Sequence, residues 1–144
     1  MLAWLFASRI VQTDAWDKRQ EKGFLFTIGD EQNHPRLPKS VLRDIFGDEI
    51  ANGMFDGDVV TSAELLRDAQ EKWHVYHLNC THRTTGDSAY WRGLLGENAI
   101  DVEDHTRIPE IIGQIIMNHP ETEGSFDSEL FLSSEPVGQR QMEV

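Results

Sequence analysis

The chain opens on apolar residues, Met1-Leu2-Ala3-Trp4-Leu5-Phe6-Ala7, with no capping residue or turn ahead of them. At helical period Leu2, Leu5 and Phe6 share one face and Ala3, Ala7 and Ile10 flank it, which predicts a helix buried over most of its circumference. Arg9, Asp14 and Asp17 cut the run far short of the roughly 20 apolar residues of a membrane span. No basic stretch or small-residue cleavage site marks a signal peptide either. After a polar stretch from Gln12 to Lys22, the run Gly23-Phe24-Leu25-Phe26-Thr27-Ile28-Gly29 is short, aromatic and bounded by glycines. Its weak alternation predicts a strand buried on both faces, as in the interior of a parallel sheet.

The remaining elements follow from caps, stops and spacing. Asp30 to Pro35 reads as a polar loop, and Pro38 opens a helix carrying Val41, Leu42, Ile45 and Phe46 that Gly47 stops. Residues 48–60 read as a loop. Thr61-Ser62-Ala63-Glu64 is a capping box, ahead of a buried face made by Leu65, Leu66, Ala69 and Trp73. His74 to Cys80 predicts a second strand, Thr81 to Asp87 a loop, and Ser88 caps a short helix through Leu95 that Gly96 ends. Asn98 to Val102 predicts a third strand. Ile108, Ile111, Ile112, Ile115 and Ile116 then keep a strict 3-1-3-1 spacing on a final amphipathic helix, the strongest periodic signal in the chain.

This alternation is that of an α/β fold, a three-layer, Rossmann-like parallel sheet of about three strands flanked by helices. Right-handed crossovers place strand 24–29 at one side of so small a sheet, with an open edge that favours self-association or pairing with another chain. Residues 1–118 are expected to form the folded α/β domain. Residues 119–144 read as a disordered acidic tail, because Glu121, Glu123, Asp127, Glu129, Glu135 and Glu143 face a single basic residue, Arg140.

Charge narrows the partners. The 25 acidic and 13 basic residues give a net charge of -12, which disfavours nucleic acid and anionic membranes. Twelve basic and 19 acidic residues fall in 1–118, so part of that charge belongs to the tail. A single cysteine, Cys80, forms no internal disulfide and points to a reducing, cytoplasmic compartment.

In open α/β sheets the ligand crevice lies beyond the carboxyl ends of the strands, where Asp30 and Glu31 directly follow Ile28-Gly29. Carboxylates there suit a hard cation or proton transfer, and equally a solvated loop or a cap. The segment Gly23 to Glu31 resembles the fourth-strand segment of von Willebrand factor A (vWA) domains, an apolar strand that usually ends in Thr-Asp-Gly. Glu71 to Leu78 resembles the fifth strand. Trp91 to Ile100, with Glu103 and Asp104, is similar to the closing region of uncharacterised bacterial and phage vWA proteins. The resemblance spans residues 1–117.

It implies a partial vWA-like fold and a non-enzymatic protein-protein interaction module with a metal-ion-dependent adhesion site (MIDAS). That site would hold Mg2+ or Mn2+, completed by a partner's carboxylate. Of its motif elements only the strand-end Asp is present, as Asp30, with Glu31 in place of the usual Gly. Asp-x-Ser-x-Ser occurs nowhere in the chain. The site is therefore expected to be incomplete, and the chain to match the C-terminal half of such a domain. An acidic-site enzyme or phosphoacceptor domain using Asp30 is the alternative, and an assembly protein pairing through the open sheet edge is a third.

Other constellations are weaker. His77, Cys80 and His82 lie near one strand end and offer zinc-type ligands, but no C-x-x-C pair or fourth ligand accompanies them. Cys80 has His77 and His82 as candidate bases without an oxyanion motif, so a buried inert thiol is the simpler reading. An EF-hand register around Gly57 puts Ala63 where Glu is required. Trp4, Trp16, Trp73 and Trp91 fall at predicted helix positions and read as core packing.

Overall fold

The structure is a computed structural model that describes residues 1–54, 57–81 and 87–121. In chain order the elements are α1 (Leu2–Arg9), α2 (Asp14–Arg19), β1 (Gly23–Gly29), β2 (Arg36–Pro38), α3 (Lys39–Phe46), α4 (Asp48–Met54) and β3 (Val59–Thr61). They continue with α5 (Ser62–Lys72), β4 (Trp73–Cys80), α6 (Ser88–Leu95), β5 (Ala99–Val102) and α7 (Ile108–Met117). Strands β1, β4 and β5 form one parallel sheet in the order β1-β4-β5, while β2 and β3 form a small antiparallel pair. The chain is thus α/β, with a three-stranded parallel sheet flanked by helices. No helix among the described residues is long and apolar enough to cross a membrane. Of the expected acidic tail, residues 122–144 lie outside the described residues.

Strand alternation divides the sheet into two unlike faces. The odd-numbered residues Leu25, Trp73, Val75 and Ala99 join the main core with Trp4 and Leu5 of α1, Leu65, Leu66 and Ala69 of α5, and Trp91 and Leu95 of α6. On the even face Tyr76, Leu78 and Val102 are buried, whereas Phe24 and Phe26 are only half-buried. His119, just past α7, sets its ring edge-on to Phe24 at 5.0 Å, which brings the end of α7 to this side.

Several expectations change. Strand β1 is not buried on both faces: it is an edge strand, half-exposed throughout, with Ile28 53% exposed, because β4 alone pairs with it among the described residues. Helix α1 buries Trp4, Leu5, Ala7 and Ser8, while Leu2 and Phe6 point outward. The predicted loop 48–60 contains α4 and β3; Ala51, fully buried, seats α4, and Val60 pairs with Leu37 at β3. Helix α2 lies inside the stretch read as polar. It has no buried residue and is held by its ends, with Thr13 Oγ1 accepting from the Trp16 amide and an Asp14–Lys18 ion pair spanning one turn. Trp73 belongs to β4 rather than to a helix. The five isoleucines of α7 are half-buried, as an amphipathic helix on a partly covered face requires.

The capping box forms as expected: Glu64 donates its amide to Thr61 Oγ1 at 3.2 Å, and Thr61 donates its own to Glu64 Oε2 at 2.8 Å. Ser88 does not cap α6. Its hydroxyl donates instead to Asp101 Oδ1 at 2.7 Å, and Asp101 also accepts from Asn79 Nδ2 at 2.9 Å and from Arg92. Burial alone would raise the Asp101 pKa, but the Asn79 and Ser88 hydrogen bonds and the Arg92 charge outweigh it and hold the carboxyl below its ordinary value. This cluster clamps α6 to the ends of β4 and β5.

Gly23 is fixed by close approach. It pairs with Trp73, and a Cβ added there would stand 2.6 Å from the Trp73 ring, whose Nε1 donates to the Ala7 carbonyl at 3.0 Å. Gly23→Ala is expected to push that ring off α1 and cost about 1–3 kcal/mol by urea unfolding. Thr61→Ala, which removes one cap, is expected to cost about 1 kcal/mol in the same measurement.

Candidate functional site at the carboxyl end of β1

The parallel register of β1 and β4 puts Gly29 beside Asn79 and Thr27 beside His77, so both strands point their carboxyl ends the same way. Beyond them opens a crevice of about 340 Å³, lined by residues of α1, β1 and the loop after it, with His77 and Trp91 at its base. The sequence-predicted residues Asp30 and Glu31 both line it, exposed at the rim.

The interior of the crevice differs from the acidic rim. Among the described residues, four buried side-chain atoms have no hydrogen-bond partner: Trp4 Nε1, Asn33 Nδ2, His77 Nε2 and Trp91 Nε1. All four residues line this one crevice. A buried polar atom without a partner costs roughly 1–3 kcal/mol, so four together concentrate unsatisfied bonding around this one crevice.

Thr27 Oγ1 lies 3.2 Å from the Tyr76 carbonyl, which can accept its hydroxyl proton, and 2.9 Å from His77 Nδ1, which donates or accepts according to the His77 tautomer. His77 Nε2 has no hydrogen-bond partner. His77 stacks on Trp91 with ring centroids 3.5 Å apart. Burial, and secondarily the nearby Met1 amino group, pushes its pKa from 6.5 down to about 4, so the ring is neutral at pH 7. Behind the crevice wall thus lie three N–H donors, from Trp4, Asn33 and Trp91, and the unpartnered His77 Nε2, all closed to solvent in this state.

That donor set suits a carbonyl, amide or carboxyl group. It does not by itself fit the expected Mg2+ or Mn2+, which require several oxygens in octahedral array. The inner atoms are N–H groups and an imidazole nitrogen, and only Asp30 and Glu31 supply carboxylates. Among the described residues, the group of three His, Cys, Asp or Glu ligands close enough to share an ion lies elsewhere. Of the weaker candidate trio His77, Cys80 and His82, the two described members do not come together. His77 points to the odd face and Cys80 to the even face, and His82 lies outside the described residues.

Sequence reasoning weighed His77 only beside Cys80 and His82, and missed Asn33 and the tryptophan N–H groups as site residues. Trp4 and Trp91 read as core, and they are core; only the fold shows that their polar edges line a crevice. The chain matches no family model, no curated protein and no solved structure.

Because the folded-state pKa of His77 lies below its unfolded value, the unfolded chain takes up this proton first. The contribution of His77 to stability is complete above about pH 6.5 and is lost as pH falls toward 4, by at most ~1.4 kcal/mol per pH unit. Urea unfolding at pH 7 and pH 5 is expected to show this loss in the parent chain and not in His77→Phe, which keeps a ring on Trp91. Equal pH dependence of the two would remove the assignment.

Proposed function

We propose that this chain is a non-enzymatic, vWA-like protein-interaction module whose partner docks at the carboxyl end of β1. The observation that carries the reading is the gathering of four unpartnered buried polar atoms in the crevice beside Asp30 and Glu31. A carbonyl or carboxyl group presented by a partner protein satisfies the Trp4, Asn33 and Trp91 donors once the crevice opens to it, because these atoms are closed to solvent in the free chain. The exposed edge of β1 continues the same surface. Ile28, 53% exposed, lines the crevice, so a partner strand or a second copy of the chain can pair with β1 while reaching into it.

Two features favour an interaction module over the enzyme and phosphoacceptor readings. Thr27 Oγ1 and His77 Nδ1 lie 2.9 Å apart, but the other ring nitrogen of His77 has no partner, so the third group that orients the base of a nucleophile–base pair is missing among the described residues. No Lys or Arg side chain lines the crevice, and the Met1 amino group that does line it donates to Asn33 Oδ1 at 2.9 Å rather than to Asp30, whereas a phosphorylated Asp30 would call for a cation beside it.

Photo-crosslinking from benzoylphenylalanine placed at Ile28, with Lys18 on α2 as the control position, tests the proposal. A discrete crosslinked protein is expected from position 28 alone, lost when Asp30 and Glu31 are both changed to Arg. A product of twice the chain's mass would assign the edge to self-pairing. Equal yields from positions 28 and 18, or no effect of the Arg substitutions, would sink the reading.

A further inference from the structure

Strand β1 spans about 20 Å between Phe24 and Asp30. At the amino-terminal end of the sheet, far from the crevice, a second group of side chains comes together on the even face. His74 of β4 lies in register with Phe24, and the chain leaving α7 brings His119 and Glu121 over the same spot. One ligand atom from each of His74, His119 and Glu121 lies within 4.8 Å of the others. His74 Nε2 and Glu121 Oε2 are 2.8 Å apart, and the two imidazole centroids 4.1 Å.

We propose that His74, His119 and Glu121 form a binding site for a zinc-class divalent cation, which clips the end of α7 to the first turn of the sheet. The donor chemistry is two imidazole nitrogens and one carboxylate, a set that favours Zn2+ and its borderline-soft neighbours over Mg2+ or Ca2+. Tetrahedral zinc with bonds near 2.0–2.1 Å holds its ligand atoms about 3.3 Å apart. Binding therefore requires the His74–Glu121 contact to widen by about half an ångström and the group as a whole to contract slightly. Water fills the fourth position.

The ligands are held in advance. His74 is fixed by the β4 backbone, and the Phe24 ring lies against both imidazoles, 5.2 Å from His74 and edge-on at 5.0 Å from His119. In the metal-free chain the Glu121 amide donates to His119 Nδ1 at 3.3 Å, a bond that metal binding must break, because a ligating imidazole has its one lone pair on the metal.

Calorimetric titration of the chelator-treated full chain with zinc chloride tests the site, with thermal unfolding and the visible spectrum of the cobalt(II) form as second readouts. One equivalent of zinc is expected to bind with a micromolar or tighter dissociation constant, to raise the melting temperature, and to give the intense absorption of tetrahedral cobalt. His119→Gln is expected to weaken binding about 100-fold, and Glu121→Gln about tenfold. Both positions lie past the last helix, and metal-free melting of each variant at the parent's temperature verifies that it folds. Absent binding, or binding that both substitutions leave unchanged, as for adventitious metal at other histidines, would overturn the proposal. Crosslinking at Ile28 reports on the crevice separately.

Discussion

Strand β4 is the constraint on which this fold rests. Among the described residues it is the one strand of the parallel sheet bonded on both sides, and Val75 through Asn79 are buried without interruption. Each layer is positioned by a different set of its side chains. Trp73 and Val75 meet the helices of the main core, Tyr76 and Leu78 fill the opposite face, His77 floors the crevice, and Asn79 anchors the clamp that holds α6. Because a strand's side chains alternate strictly, a one-residue slip of β4 would exchange all of these roles at once. The same alternation explains why His77 and His74 belong to sites of different chemistry although three positions separate them.

The polar residues of β4 show how burial assigns work. Asn79, 1% exposed, donates from Nδ2 to both Ser88 and Asp101, and so holds an acid at the end of β5 in its ionised form. His77 is buried against Trp91 and kept neutral. The first residue completes a structural network with Arg92. The second leaves its Nε2 without a hydrogen-bond partner, and that difference separates a polar residue that stabilises the fold from one whose bonding is incomplete.

Much of the fold was legible because local signals agreed with the tertiary outcome. The Thr61–Glu64 box, the isoleucine spacing of α7 and the glycines around β1 each reflect short-range physics that survives folding. What escaped was set at longer range. Helix α2 has no apolar face to announce it, and α4 is seated by one buried alanine between weak helix formers. Strand β1 carries interior-type sequence at an edge position. Of the candidate site, Asp30 and Glu31 were visible because a strand end is a local feature. The Trp4, Asn33, His77 and Trp91 atoms were not, since they come together only through crossovers of up to dozens of residues. His119 and Glu121 lie just past a strongly periodic helix, and a His-x-Glu pair there is a weak signal until His74 is placed opposite.

The register of β1 against β4 also bears on how the chain is made. Gly23 pairs with Trp73, fifty positions later, whereas His77 finds Ala99 after only twenty-two. The β4–α6–β5 unit closes a short loop, while β1 must be captured across a long one, and such non-local pairing slows folding. During synthesis at about 5–20 residues per second, Phe24-Leu25-Phe26 leaves the ribosome roughly 3–10 s before its partner strand is complete. For that interval this apolar segment has no sheet to join. The charged residues of both signs from Asp14 to Glu21 that precede it are of the kind that flank hydrophobic strands and oppose their association.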